Sequence, residues 1–482
     1  TDMKVAMCLL ILIAGCSNDA DETIAVADVF TAPDAVVTVA DVVPDVSAID
    51  VPVIPDPGPE PVDVPTPPED IVVPPTGELE SVTLGDGLCL SGIDWFPTTD
   101  TIPWLQDLGV KRVRLQLQWH RVEPEKGTWK LDLLDTAVDP YVEAGIEVIG
   151  VLAYGNPWAT VVEGADSYFP PDDPADFASY VEQTVGHLAG RVSWFEIWNE
   201  PNAGYRFWKP DLKGDPVAFG ALVIAATAAG RSVCPSCQFA FGGTFFHSQF
   251  IDGHIPFLTM AQDAHPDLAE HYDAMAIHPY PLYPPEAPPE GLVDTEEWPF
   301  ADMVAGVRDV MAAQGARERP MWATEFGWPV FTAVSQERQA AYLIRGTLHM
   351  LALGAQTACW YNIADGPDAG QFPPEDDFGL LTSDKPRQKK PSYHAMAQLG
   401  GRFANHRIVR DLRVAGELAE GLWGYELAAV GMSSWWVVWA DPAAEPTAAG
   451  IVNSVQTLDF KGDPADPLQP VGELPVYFER PN

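Results

Sequence analysis

Two stretches of this sequence set a carboxylate directly behind an apolar run: Trp198-Asn199-Glu200-Pro201-Asn202 and Thr324-Glu325-Phe326-Gly327-Trp328. A pair of carboxyls facing each other across a cleft can divide the work of breaking a glycosidic bond. One must hold a proton for the leaving oxygen, and the other must be ionised to attack the anomeric carbon. A third stretch, Ile277-His278-Pro279-Tyr280, offers a ring nitrogen and a hydroxyl that can hydrogen-bond the carboxyls and set their charge states. Arg114 supplies a cation to keep Glu325 ionised, although a buried structural ion pair would use the same residue. Trp360 has a flat apolar face suited to stacking on a sugar ring, and Trp119, His120, Trp158 and Trp328 are expected on the same rim, His120 in packing more than in chemistry. Tyr205, Phe207 and Trp208 follow Glu200 closely and fit either a sugar-stacking wall or the packing of their own loop.

These residues need a frame that brings distant strand ends together. Short β-type runs occur at 87–90, 112–117, 148–152, 194–198, 239–242, 274–277, 321–324 and 357–361. Between them, 131–144, 176–189, 216–231, 303–313 and 336–353 carry apolar residues at helical spacing. Eight strands alternating with helices predict an α/β fold, a (β/α)8 barrel over about 81–400, whose chemistry sits where strands end and loops begin. A doubly wound open sheet is the competitor, but no glycine-rich phosphate fingerprint follows the first strand. Asp377-Phe378-Gly379 imitates a kinase triplet without the other kinase motifs and is a chance match. From 401 to 482 the pattern changes: Trp435-Trp436-Val437-Val438-Trp439, 452–460 and 474–478 read as strands of a small β-sandwich. Its tryptophans, Trp423 among them, fit a buried core edge better than a glycan-binding face.

The chain of 482 residues carries 69 acids against 27 bases, a net charge of −42. Such a surface repels phosphate backbones and anionic lipid, which excludes nucleic acid and electrostatic membrane docking as partners. No run of about 18 apolar residues stands out, so a multi-span membrane protein is excluded too. Lys4, the apolar run 5–13 and Ile13-Ala14-Gly15-Cys16 read as an export signal over 1–15 that ends at a lipidated cysteine, Cys16. Residues 17–80 hold 15 acids, no Lys or Arg and one aromatic, Phe30, so 16–80 is expected to be a disordered, proline-rich tether. Contact with the membrane would then run through the N-terminal lipid alone. Cys234-Pro235-Ser236-Cys237 lacks the second pair or histidines of a zinc site and reads as a local disulfide clamping a turn. Cys89 and Cys359 lie in apolar runs and are expected to be simply buried.

The strand-end set resembles glycoside hydrolase clan A, and within it family 39 and related enzymes acting on bacterial exopolysaccharides. The likeness rests on Gln118-Trp119-His120-Arg121-Val122-Glu123-Pro124, Phe195-Glu196-Ile197-Trp198-Asn199-Glu200-Pro201-Asn202, Phe241-Gly242-Gly243, Ala323-Thr324-Glu325-Phe326-Gly327-Trp328, Phe378-Gly379-Leu380-Leu381 and Lys390-Pro391-Ser392-Tyr393, and spans about 84–480. It implies Glu200 as acid/base and Glu325 as nucleophile with retention of configuration. It further implies Asn199 on the sugar 2-hydroxyl, and His278 and Tyr280 shaping the site around the nucleophile. No cofactor or metal is implied. The expected protein is a monomeric, surface-tethered hydrolase of β-linked polysaccharide or oligosaccharide, a bacterial outer-membrane lipoprotein. A cellulase- or mannanase-like family 5 enzyme is the alternative within that class. A non-catalytic carbohydrate-binding lipoprotein and a passive envelope protein are the alternatives outside it.

Overall fold

The computed structural model describes residues 77–482 apart from 93–100, 211–212, 246–253, 281–287, 291–299, 332, 371–373, 442–446, 449–450, 452–453 and 482. The signal, Cys16 and nearly all of the tether fall outside the described residues.

The apolar runs form eight parallel strands that close into a barrel in sequence order. They are β1 (Leu88–Ser91), β2 (Arg112–Gln118), β3 (Glu147–Ala153), β4 (Trp194–Asn199), β5 (Gln238–Phe245), β6 (Ala274–His278), β7 (Met321–Phe326) and β8 (Ala355–Tyr361). A helix follows each strand: α1 (Thr101–Leu108), α2 (Asp132–Glu143), α3 (Pro174–Leu188), α4 (Pro216–Val233), α5 (His254–Ala264), α6 (Phe300–Ala313), α7 (Gln336–Ala352) and α8 (Pro391–Ala397). Local chemistry sets the helix starts. Asp173 and Asp215 accept backbone N–H groups at the heads of α3 and α4, each followed by a proline whose fixed φ suits the first turn, and Ser335 caps α7. Gly315 and Gly354, both in the left-handed region, end α6 and α7. The segment Pro216–Val233 is apolar enough over 18 residues to match a membrane span, with mean hydropathy 1.5, a stretch the sequence reading passed over. Its inner face, with Phe219, Leu222, Val223 and Ala226, is buried within the folded body.

Strand side chains alternate between the two sides of the barrel wall. Cys89, Ile149, Ala240, Ala274, Ala276, Trp322 and Cys359 form one cluster inside the barrel, while most other buried residues pack the wall against its helices. Closure puts Cys89 of β1 directly opposite Cys359 of β8, and their sulfurs are bonded. This corrects the expectation that both are merely buried. They lie 270 residues apart, so spacing carried no hint; the closing of the ring apposes them. Cys234 and Cys237 are also disulfide-bonded, at the turn between α4 and β5.

The last 80 or so residues form a five-stranded antiparallel sheet in the order β13-β15-β11-β10-β9. These are β9 (Arg407–Asp411), β10 (Leu422–Ala428), β11 (Trp435–Ala440), β13 (Thr457–Leu458) and β15 (Val476–Glu479); β12 (Thr447–Ala448) pairs with β14 (Pro470–Val471) as a second small sheet. Trp435, Val437 and Trp439 point toward the barrel core, while Val438, Ala440 and Phe478 join an outer cluster. Trp423 and Trp436 lie beneath Arg413 and Arg480, whose guanidiniums sit 3.8 and 4.3 Å from the ring centres. Packing thus occupies the tryptophans that a glycan-binding face would need. The last residues assigned to the tether, 77–80, instead run along β9, with Leu79 N–H donating to Val409 O at 2.9 Å.

Candidate active site

The ends of β4, β6 and β7, with Arg114 inside β2, bring six expected residues into one buried group: Arg114, Asn199, Glu200, His278, Tyr280 and Glu325. Arg114 enters from β2. Its Nη1 donates to Glu325 Oε1 at 2.5 Å and its Nη2 to Asn199 Oδ1 at 2.8 Å. The same guanidinium makes a two-pronged bond to Glu196, Nε to Oε2 at 2.9 Å and Nη2 to Oε1 at 2.8 Å. Burial opposes the charge on Arg114, but Glu196 and Glu325 outweigh it and hold the guanidinium protonated. Burial likewise pushes the Glu196 carboxyl up, yet Arg114 carries it below its ordinary range. Both readings of Arg114 therefore apply: one face makes a structural ion pair and the other serves Glu325.

Glu325 ends β7. Besides Arg114, its Oε1 accepts from Ser91 at 3.3 Å, and its Oε2 accepts from the Tyr280 hydroxyl at 3.2 Å. Burial and the nearby Glu325 keep the Tyr280 phenol protonated.

Glu200 lies just past β4 in a different setting. Its backbone, like that of Trp198, is in the left-handed region (φ 47° and 68°), which non-glycine residues seldom adopt. The surroundings hold it there: its N–H donates to Gly243 O at 2.9 Å, and its carbonyl accepts from Ala203 N–H at 2.9 Å. Gly243 itself tolerates no side chain, since a Cβ would come 2.1 Å from His278 Nε2. The glycine pair of β5 is thus what lets β6 deliver His278 to the site. Burial raises the Glu200 carboxyl to about 7, against the pull of Arg206 and Arg114. His278 Nδ1 lies 2.8 Å from Glu200 Oε1, and Nε2 lies 3.1 Å from Thr324 Oγ1. Burial lowers the His278 pKa to about 4, so at neutral pH this contact is a hydrogen bond of a neutral ring and not an ion pair.

One oxygen each of Glu200 and Glu325 and one ring nitrogen of His278 lie within 4.8 Å of one another, the sole such trio of potential metal ligands among the described residues. Within the trio His278 Nδ1 already meets Glu200, and its Nε2 meets Thr324, an arrangement suited to sharing a proton.

The tryptophan expectations need correction. Trp360 has no exposed surface and faces the helices, with Phe326 and Trp328 at 5.7 and 6.1 Å and its N–H donating to Phe378 O. Strand parity explains this: Cys359 points into the barrel, so the next residue points out and Tyr361 points in again. Tyr361 lies beside Ser91 in register and packs on Phe378 at 5.5 Å. Trp328 is fully buried against Phe300 and Tyr342 of α6 and α7. Trp119 is fully buried against Phe177 and Tyr180 of α3, and its N–H donates to Glu123. None of the three presents a face to a sugar. Trp208 and Phe207 are buried as well, so these two pack their own loop, while Tyr205 stays partly exposed.

Sequence reading missed Ser91, Glu196, Thr324, Tyr361, Arg206 and Glu375. A charged residue amid an apolar strand was the available signal for Glu196. The others come from loops or strand ends with no local mark.

No family model matches the chain, and no curated protein does. Solved structures do. A family 39 glycoside hydrolase from the gut symbiont Bacteroides cellulosilyticus WH2 superposes with a TM-score of 0.66 at 21% identity, over 83% of this chain and 82% of that one. The chain shares its fold with that enzyme. A family 39 β-xylosidase from Caulobacter crescentus gives 0.60 at 16% identity, over 84% of this chain and 98% of its own. The family 39 enzyme from Xanthomonas axonopodis pv. citri gives 0.55 at 17%, over 80% and 78%.

Proposed function

We propose that the protein is a retaining glycoside hydrolase acting on β-linked polysaccharide or oligosaccharide, with Glu200 as acid/base and Glu325 as nucleophile. The observation that carries this is the pairing of two carboxyls whose oxygens approach within 4.8 Å and whose surroundings differ. Retaining enzymes hold their carboxyls about 5–5.5 Å apart, whereas inverting ones need about 6.5–9.5 Å for an intervening water.

In the first step Glu325 attacks the anomeric carbon and the glycosidic C–O bond breaks. The leaving oxygen takes the proton of Glu200, which burial keeps available near neutral pH. Arg114 and Ser91 both hold Glu325 Oε1, which leaves Oε2, with the single hydrogen bond from Tyr280, as the attacking atom. In the second step the Glu200 carboxylate takes a proton from water as that water attacks the anomeric carbon and releases Glu325. Asn199 Oδ1 is fixed by Arg114, so its amide group is free to donate to a sugar hydroxyl. His278 stays uncharged and so does not draw the proton off Glu200.

The same reading includes export and surface tethering: two disulfides suit an oxidising compartment, and the acidic N-terminal stretch suits a spacer behind a lipidated Cys16. The test is reducing-sugar release from a panel of neutral and amino-sugar polysaccharides by the wild type, Glu200→Gln and Glu325→Gln. Proton NMR of the first-formed anomer reads the stereochemistry. Turnover by the wild type alone, with retained configuration, is the expected result. An inverted product overturns the roles, and equal glycan binding by three silent proteins overturns the enzyme.

A further inference from the structure

Apart from the buried group, an ion pair joins two turns at the barrel mouth. Arg206 lies on the short turn Gly204–Phe207 after β4, and Glu375 on the turn Pro374–Asp377 after β8. The strands β4 and β8 are four places apart in a ring of eight, so the two turns rise from opposite sides of the mouth. The guanidinium meets the carboxylate with both prongs, Nη2 to Oε2 at 3.1 Å and Nη1 to Oε1 at 3.4 Å. Both side chains are about one-fifth exposed.

Each leg is fixed. On one side a ladder of backbone bonds runs from Glu200 O to Ala203 N–H, and from Ala203 O to the N–H groups of Arg206 and Phe207. The guanidinium lies 4.8 Å from the Phe207 ring, and that ring stacks on Tyr154 at 5.4 Å. On the other side the carboxylates of Asp376 and Asp377, next to Glu375, accept the N–H groups of Asp368 and Gly370. A pair so braced is more than a rim salt bridge, because it fixes one positive and one negative charge at set positions relative to Glu200.

We propose that Arg206 and Glu375 are a positioning pair that governs when Glu200 holds its proton. The proposal rests on Glu200 being the acid of the hydrolase above. Glu200 is faced by Glu196 on its own strand, Arg114 on β2, Tyr154 after β3, His278 and Tyr280 from β6, Glu325 on β7, Tyr205 and Arg206 on its own loop and Glu375 from β8. Arg114 is already shared by Glu196 and Glu325. Arg206 is the cation that acts most on Glu200 against its burial, and Glu375 in turn feels Glu200. The two charges of the bridge therefore oppose each other at Glu200, and removing either one should move the proton in a different direction.

The test is the carboxyl titration of Glu200 by 13C NMR in the full chain labelled at glutamate, assigned by difference against Glu200→Gln. Arg206→Gln should move the midpoint up by about one pH unit and Glu375→Gln should move it down by a similar amount, the scale of a single charge near a partly screened site. The double variant Arg206→Gln/Glu375→Gln should return toward the wild-type midpoint. The alkaline limb of kcat/KM on whichever glycan is cleaved should follow the same three shifts. Midpoints that stay put, or that move the same way in both single variants as loop loosening would cause, overturn the proposal. The titration needs no substrate, so a protein silent on every glycan sinks the hydrolase reading while this result still decides the role of the pair.

Discussion

Two buried clusters in this molecule use nearly the same residue types to opposite ends. At the seam between α7 and the C-terminal sheet, Glu290 meets Arg345 through both oxygens, His349 Nε2 at 3.0 Å and the Trp439 indole N–H at 2.8 Å; Tyr425 backs His349 at 2.7 Å. At the mouth, Glu196 and Glu325 share Arg114, and Glu200 stands beside them with His278 and Tyr280. The seam meets one carboxylate with four contacts, two from Arg345 and one each from His349 and Trp439, about as many as it has lone pairs. Burial opposes ionisation there too, but Arg345 and His349 hold Glu290 far below the usual carboxylate range. The mouth runs short of cations, and the shortfall falls on Glu200, which burial lifts to about 7. Full compensation yields a rivet, and incomplete compensation yields a proton donor at neutral pH.

That contrast can be broken from either side. The largest expected effect is at the mouth: Glu325→Gln should lower kcat on a cleaved glycan by about 10⁴-fold or more while leaving the melting temperature close to wild type. Both read on one preparation decide whether Glu325 is chemistry or scaffold. At the seam, Glu290→Gln should cost about 3–5 kcal/mol in urea unfolding, because Arg345 is left buried without its partner. Unchanged stability there would erase the distinction drawn above.

A third effect has the opposite sign. The Glu200 carboxyl goes from an ordinary 4.5 to about 7 on folding, so between those values the folded state binds more protons than the unfolded one, and stability falls as pH rises. The penalty is absent below that window and complete above it. Glu200→Gln should thus stabilise the protein at pH 8 by up to roughly 3 kcal/mol, with the gain gone near pH 4. A variant less stable than wild type at pH 8 would mean that Glu200 is compensated after all. The smallest effects separate two tyrosines. Tyr280→Phe should lower kcat/KM about tenfold at constant stability, and Tyr425→Phe should lower stability by about 1 kcal/mol at constant kcat/KM.

Much of the mouth was legible because a barrel gathers strand ends by rule. Once eight strands were placed, Glu200, Glu325, His278, Tyr280, Asn199 and Arg114 had to converge, and the structure brings all six together. The seam was not legible. Glu290, Arg345, His349 and Trp439 come from a loop, a helix and a strand up to 149 residues apart, and nothing in their local sequence marks a meeting. The tryptophans failed for a finer reason. A strand end names a neighbourhood, but a shift of one residue turns a side chain from the cleft to the helices, and Trp360 and Tyr361 are adjacent.

By itself the sequence determined the periodic features: strand and helix order, the caps of α3 and α4, the acidic N-terminal composition, and which strands end in a carboxylate. Those depend on residues within a few positions of each other. Only the tertiary structure decided the pairings. Ring closure joined Cys89 to Cys359, the approach of β5 to β6 required Gly243, and two loops on opposite sides of the mouth brought Arg206 to Glu375. The same holds for the state of Glu200. Its proton depends on burial and on how many cations reach it, and both are sums over the whole fold that no local pattern encodes.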